Sequence, residues 1–346
     1  MSSLDEIRSR VKLEETEVSN TTSTNFPGNY PGYDDQLNLD SFRDNLTINI
    51  AKLDDDSTEF DMIGIDAALA NAFRRILIAE LASMAIEKVH IHENSSVLPD
   101  DVLAHRLGLI PLKADARNFE YRQPGDTKDH EDNTLVFKLK IICKKNPKAI
   151  ENNIEPKNLY INSNVYTEHM EWIPIGNQAT KYTANDVGPV ANDILIVKLR
   201  PGQELDLKLV CVKGIGRDHA KFSPVCTASY RLMPEIILKE PIENEDADKL
   251  QQCFTSGVIE IKEQKNGQRR AVVSKPRLDL CSREALRYPE LKDRIQLNKI
   301  RDHFIFSIES VGAVKPNMLF VESIKLLMDK CEHLLNEIDG NPLQST

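Results

Sequence analysis

Arg74 and Arg75, adjacent in the otherwise apolar stretch LANAFRRILIAELASM, are the first residues of this chain whose types invite chemistry. An unpaired guanidinium in a core costs several kcal/mol, whereas a bidentate carboxylate partner for arginine is a common feature of interfaces. Gly214-Ile-Gly-Arg-Asp-His219 offers a Gly-x-Gly turn after a strand-like run, the opening of a phosphate loop. Its third glycine is missing, however, and Phe222-Ser-Pro224 follows where a helix should start. His90 and His92, two apart, could ligate a metal, but nothing nearby supplies a third and fourth ligand. His105 and Arg106 have the types of a base and an anion binder, with no nucleophile or carboxylate pair spaced to work with them. The six cysteines, Cys143, Cys211, Cys226, Cys253, Cys281 and Cys331, contain no Cys-x-x-Cys hook. These patterns place no catalytic residue, no metal and no cofactor on the chain.

Composition bounds the rest. The chain has 346 residues, 40% hydrophobic and 28% charged, enough for a sizeable core in two or three domains. No run approaches the ~18 apolar residues of a membrane span, and the first ten residues lack the apolar core of a signal peptide. The expectation is a soluble, intracellular protein without disulfides. A formal charge of −10 argues against a direct grip on DNA, since non-specific affinity comes from Lys and Arg on phosphates.

The elements that would position these residues follow from periodicity. The sequence predicts a helix over 65–84, with Asp66 at its start and Leu69, Phe73, Ile76, Leu77 and Met84 on one stripe. Ala70, Ile78 and Ala82 fall on the back, so the helix is apolar on two faces and wants two layers to pack against. A hairpin from Leu46–Leu53 and 59–65 feeds into it, with Leu46, Ile48 and Ile50 alternating. A strand is expected at 86–93 and a short helix in DDVLAHRLGLIPL, ended by Gly108 and Pro111. Residues 113–220 read as strands and turns. Asn317 to Ile338 should form a closing helix, because Phe320, Ile324, Leu327, Cys331, Leu334 and Ile338 recur at steps of four and three over ~33 Å. Part of that stripe would close its own domain and part would face a partner. Residues 1–40 carry no periodic apolar pattern and read as a tail, either solvated or laid along a partner through Phe26, Tyr30 and Tyr33, and removable without loss of folding.

LANAFRRILIAELASMAIEKV resembles the dimer-forming helix of the RNA polymerase alpha-subunit family, with Asn71, Arg74, Arg75, Ile76 and Leu77 at its motif positions. HRLGLIPL, GIGRDHAKFSPVCTASYRLMP and FIFSIESVGAVKPNMLFVESIKLL are similar to further family segments in the same order, covering about 44–338. The resemblance implies an α+β fold, with a flexible tail at 1–40 and a dimerisation domain of 41–95, 220–240 and 300–340. It also implies a β-rich insert at 96–219 and a small ferredoxin-like insertion at 241–299. In archaeal members and some eukaryotic relatives that insertion can hold an iron–sulfur cluster through four cysteines. Only Cys253 and Cys281 stand here, so the insertion is carried over without the cluster, and no metal is expected in the purified chain. The four-cysteine zinc loop of the polymerase II relative also has no counterpart, which points to the version shared by polymerases I and III.

What the family does is then expected of this chain. It would be a non-catalytic assembly subunit, in the nucleus and nucleolus and so in ribosome biogenesis, that heterodimerises with a smaller alpha-like subunit and docks the second-largest polymerase subunit beside small zinc-binding subunits. The expected interface residues are Asn71, Arg74, Arg75, Ile78, His105, Arg106, Phe320, Ile324, Leu327 and Cys331. Alternatives are the equivalent subunit of another nuclear polymerase, a nucleotide-binding enzyme using Gly214 to His219 with His105 as base, or a nucleic-acid binder using the basic run at 262–275.

Overall fold

The computed structural model describes residues 3–22, 30–33, 36, 38–123, 125, 128–147, 159–183, 186–264 and 267–340. Phe26 lies outside the described residues. The chain divides into two compact units, one of 1–51, 59–71 and 229–307, the other of 52–58, 72–228 and 308–346. Helices and sheets mix in the α+β manner expected.

The first unit carries most of a six-stranded sheet in the order Val18–Ser19, Arg10–Leu13, Ile295–Ser310, Ser57–Ile63, Thr47–Leu53, with Val225–Leu238 also paired to Ile295–Ser310. Phe60 stacks on Phe306 at 5.3 Å, and Tyr230 packs against Phe304 and Phe306 at the same separation. The Thr47–Leu53 strand is exposed at every position. The alternation of Ile48 and Ile50 marks no buried face, because this strand ends the sheet and only its neighbour turns Phe60 and Met62 inward. A second core in this unit gathers Leu250, Val258, Ile259, Ala271 and Leu291, where the Asn244–Gln252 helix lies on the hairpin of Ile259–Glu263 and Arg269–Val273.

The tail expectation is corrected over 3–22. Residues 3–9 form a helix, and Arg10–Leu13 pairs antiparallel with 297–300, burying Val11 and Leu13. Arg10 holds Glu235 with both arms, at 2.7 and 3.0 Å, and Asn298 donates to the same carboxylate at 3.0 Å. Tyr33 donates to Asp5 at 2.7 Å, under the Arg8 guanidinium 3.8 Å from its ring centre, so these side chains fold back on their own chain. A four-residue strand is too short to show a period, and here long-range pairing orders it.

The helix bearing the two arginines, Ala67–Ala79, is shorter than expected. Asp66 caps it, accepting from the Ala68 N–H at 2.7 Å. Gly64 before it takes φ +78°, and a Cβ there would lie 2.4 Å from the Asn45 carbonyl oxygen. Residues 80–84 are helix formers, yet the chain turns at Glu80 into the Ala82–Asn94 strand, where Ala82 opposes Ile215 and Met84 opposes Lys213. The Ser83 hydroxyl donates to the Phe222 carbonyl at 2.7 Å, and Met84 is buried on the sheet rather than on the helix stripe. Strand pairing overrides helix propensity there. That strand is the edge of a four-stranded antiparallel sheet in the second unit, followed in space by Glu204–Ile215, Thr134–Ile142 and Glu171–Ile173. Phe137, Leu139, Leu207 and Leu209 fill its core together with Leu103 and Leu107 of the Asp100–Gly108 helix.

Candidate dimerisation surface

The closing helix, Pro316–Gly340, starts after a turn built to close tolerance in the second unit. Gly312 adopts φ +102°, and a Cβ there would lie 2.6 Å from Val190, so only glycine passes. Pro316 then occupies the first helical position, where its missing N–H costs nothing. Leu319, Phe320 and Ser323 are buried in the chain's own unit, and Phe320 meets Phe73 of the arginine helix edge to face at 5.4 Å. Lys330 pairs with Glu80 at 2.5 Å, and Arg117 approaches Glu322 at 3.4 Å.

Beyond Lys330 the support ends. Every residue of 331–340 is exposed, although ten residues of helix project ~15 Å. Leu334 is 57% and Ile338 65% exposed, while Ile324 and Leu327 are half-buried. Predicted stripe residues thus divide: Phe320 belongs to the core, Ile324 and Leu327 to a margin, and Cys331, Leu334 and Ile338 to the open surface. Val321, Met328 and Leu335, seven apart and also exposed, widen this apolar face. That spacing was present in the sequence but lies one position away from the stripe. Burying such a side chain contributes about 2 kcal/mol, so an uncovered row of them is a surface suited to association.

On the back of the arginine helix Ala70 is 0% exposed, so this chain itself supplies a layer against part of that face. Asn71 and Arg74 are half-buried and engaged within the chain. Arg75 is exposed, and Ile78 is 37% exposed.

His105 and Arg106 sit on the Asp100–Gly108 helix, which packs on the Ala82–Asn94 and Leu195–Lys198 strands. The His105 ring lies 6.3 Å from that of His219. Arg106 donates through Nε to the Ile196 carbonyl at 3.1 Å and through Nη2 to the Leu195 carbonyl at 2.8 Å. Neither residue meets a nucleophile in these contacts. The Gly-x-Gly turn answers to packing: a Cβ on Gly214 would lie 2.8 Å from the Phe222 ring, and one on Gly216 would lie 2.2 Å from the Ile78 carbonyl oxygen. The Arg217 N–H donates to the Ala79 carbonyl at 2.8 Å, closing the end of the arginine helix. Gly214 makes room for the Phe222 ring and Gly216 lets two backbones meet, with no phosphate needed to explain them.

Burial pushes the thiols of Cys253 and Cys281 up, so both favour the neutral form. Among the described residues, no group of three or more His, Cys, Asp or Glu gathers to hold a metal. Nor, among the described residues, is any helix long and apolar enough to cross a membrane.

The sequence matches the RNA polymerase Rpb3/Rpb11 dimerisation domain over residues 59–331. It is 53% identical to the DNA-directed RNA polymerases I and III subunit RPAC1 of Homo sapiens, over 97% of each chain. Identity to the subunit of the same name in Saccharomyces cerevisiae is 45%, over 94% of this chain and 97% of that one. The DNA-directed RNA polymerase II subunit rpb3 of Dictyostelium discoideum is more distant, 32% identical over 85% of this chain and 93% of its own. With a match across most of its length, the chain belongs to the RNA polymerase Rpb3/Rpb11 dimerisation-domain family.

Proposed function

We propose that this chain is the larger alpha-like subunit of RNA polymerases I and III, a non-catalytic scaffold that pairs with a smaller alpha-like subunit. The observation that carries the pairing is the uncovered apolar face of the closing helix at Met328, Leu334, Leu335 and Ile338. Assignment to polymerases I and III rests on relatives so named at 45–53% identity over nearly the whole chain, against 32% for the polymerase II relative.

In this reading the dimerisation platform comprises 41–95, 220–240 and 300–340. Residues 96–219 form a β-rich insert and 241–299 a ferredoxin-like insertion without a cluster. Arg75 and Ile78 face the second-largest subunit, small zinc-binding subunits complete the assembly, and the complex works in the nucleus, including the nucleolus. Nucleotidyl transfer falls to other chains. Co-expression tests the pairing: with the smaller alpha-like chain of the same organism, this chain should run as a soluble 1:1 heterodimer on size exclusion. Separate elution of the two chains would refute it.

A further inference from the structure

The second unit contains a groove of about 620 Å³ whose lining includes no residue of the closing helix and, of the expected interface residues, only Arg106. Its apolar lining includes Val97, Leu98 and Leu195, and its charged lining is Arg106, Lys198 and Arg200, with no aspartate or glutamate. Val97 is 80% exposed, on a loop that is firmly held. Asn94 donates to the Leu98 carbonyl at 3.0 Å and accepts from the Ser96 N–H at 3.1 Å, while Gln203 donates to the Ser95 carbonyl at 2.7 Å. The valine is therefore displayed in a fixed position.

Two of the three cations are also set in place without anions, and Lys198 is exposed beside them. Two backbone carbonyls of the Leu195–Lys198 strand grip Nε and Nη2 of Arg106, leaving Nη1 of the fork to a ligand. Arg200 rests 5.7 Å from the Tyr160 ring centre. Among the described residues none of the three forms an ion pair, in a chain with 54 acidic against 44 basic residues. Gathering unpaired like charges is unfavourable unless an anion binds between them.

We propose that this groove docks an acidic, aliphatic peptide segment of another protein, its aliphatic side chains on Val97, Leu98 and Leu195 and its carboxylates on Arg106, Lys198 and Arg200. A nucleic-acid strand would use the same cations, but the groove has no aromatic platform on which bases could stack.

The test uses the full chain, purified with its alpha-like partner, and three fluorescein-labelled probes read by anisotropy: the peptide EDLLEDILEE, the peptide KKLLKKILKK and a ten-nucleotide oligo-dT. The acidic peptide should bind saturably and weaken with salt. Lys198→Glu/Arg200→Glu and, separately, Val97→Asp should each reduce its affinity at least about tenfold. These positions are exposed, and circular dichroism of each variant checks that the fold is kept. No saturable binding of the acidic peptide, equal binding by the variants, or tighter binding of either other probe would overturn the proposal.

Discussion

Phe73 and Phe320 meet edge to face with ring centres 5.4 Å apart, and this contact joins the arginine helix to the buried start of the closing helix. Everything C-terminal to Lys330 on the closing helix extends past that support, exposed on all sides. One end of the helix thus serves folding, and the other remains available for association.

Leu334→Asp separates the two roles. Leu334 touches solvent in the free chain, so melting temperature should stay within about 2 °C of wild type. A charge placed in a desolvated interface should cost several kcal/mol of association, on the order of the penalty for an unpaired buried carboxylate. Co-expression pull-down with the smaller alpha-like chain checks this. Full recovery of the heterodimer would show that the face is not used.

Arg75→Ala should leave that heterodimer intact and weaken docking of the second-largest subunit by about 2 kcal/mol, if the exposed guanidinium takes a carboxylate there. Scoring the two partners independently in one pull-down distinguishes this from a folding defect.

The N-terminal strand yields a prediction opposite to that from the sequence. Deleting residues 1–22 removes a paired strand and the Arg10 grip on Glu235, and should lower the melting temperature of the heterodimer by at least about 5 °C. The ion pair can be followed by pH. Burial raises the Glu235 carboxyl, but hydrogen bonds from Arg10 and Asn298 outweigh it and hold the group below its ordinary range. That stabilisation is complete above the free glutamate value of about 4.3 and is lost as pH falls through the lowered folded value. Arg10→Ala should cost about 2 kcal/mol at pH 7 by denaturant titration, with the gap to wild type closing below about pH 4. A constant gap would remove the pair from the account.

Gly216→Ala would press a methyl group against the backbone carbonyl of Ile78, a neighbour with no rotamer to yield. It should destabilise the chain by about 2 kcal/mol or more. ATP added to wild type should leave its melting temperature unchanged, whereas a nucleotide-dependent rise would restore the phosphate-loop alternative.

The closing helix was legible because six apolar residues keep one spacing, and its widening by Val321, Met328 and Leu335 follows the same seven-residue repeat. Asp66 marked the start of the arginine helix correctly. Its end was not legible, since the run continues through Met84 with no Gly or Pro to break it, and only pairing of Ala82 to Met84 with Lys213 to Ile215, far along the chain, makes them strand. The four residues of Arg10–Leu13 are too few to show a period, and Ile300 to Leu297, which order them, are equally remote. Arg106 could be singled out by type, but its two carbonyl partners lie about ninety residues away and its setting appears only in the fold.

Affinity purification of the full-length tagged chain from its own cells, with co-purifying large subunits identified by mass spectrometry, decides which polymerases this chain serves. The largest and second-largest subunits of polymerases I and III should both appear at near-equal stoichiometry with the smaller alpha-like chain, and those of polymerase II should be absent. Recovery of polymerase II large subunits in their place, or of no polymerase subunit at all, would contradict the assignment to polymerases I and III.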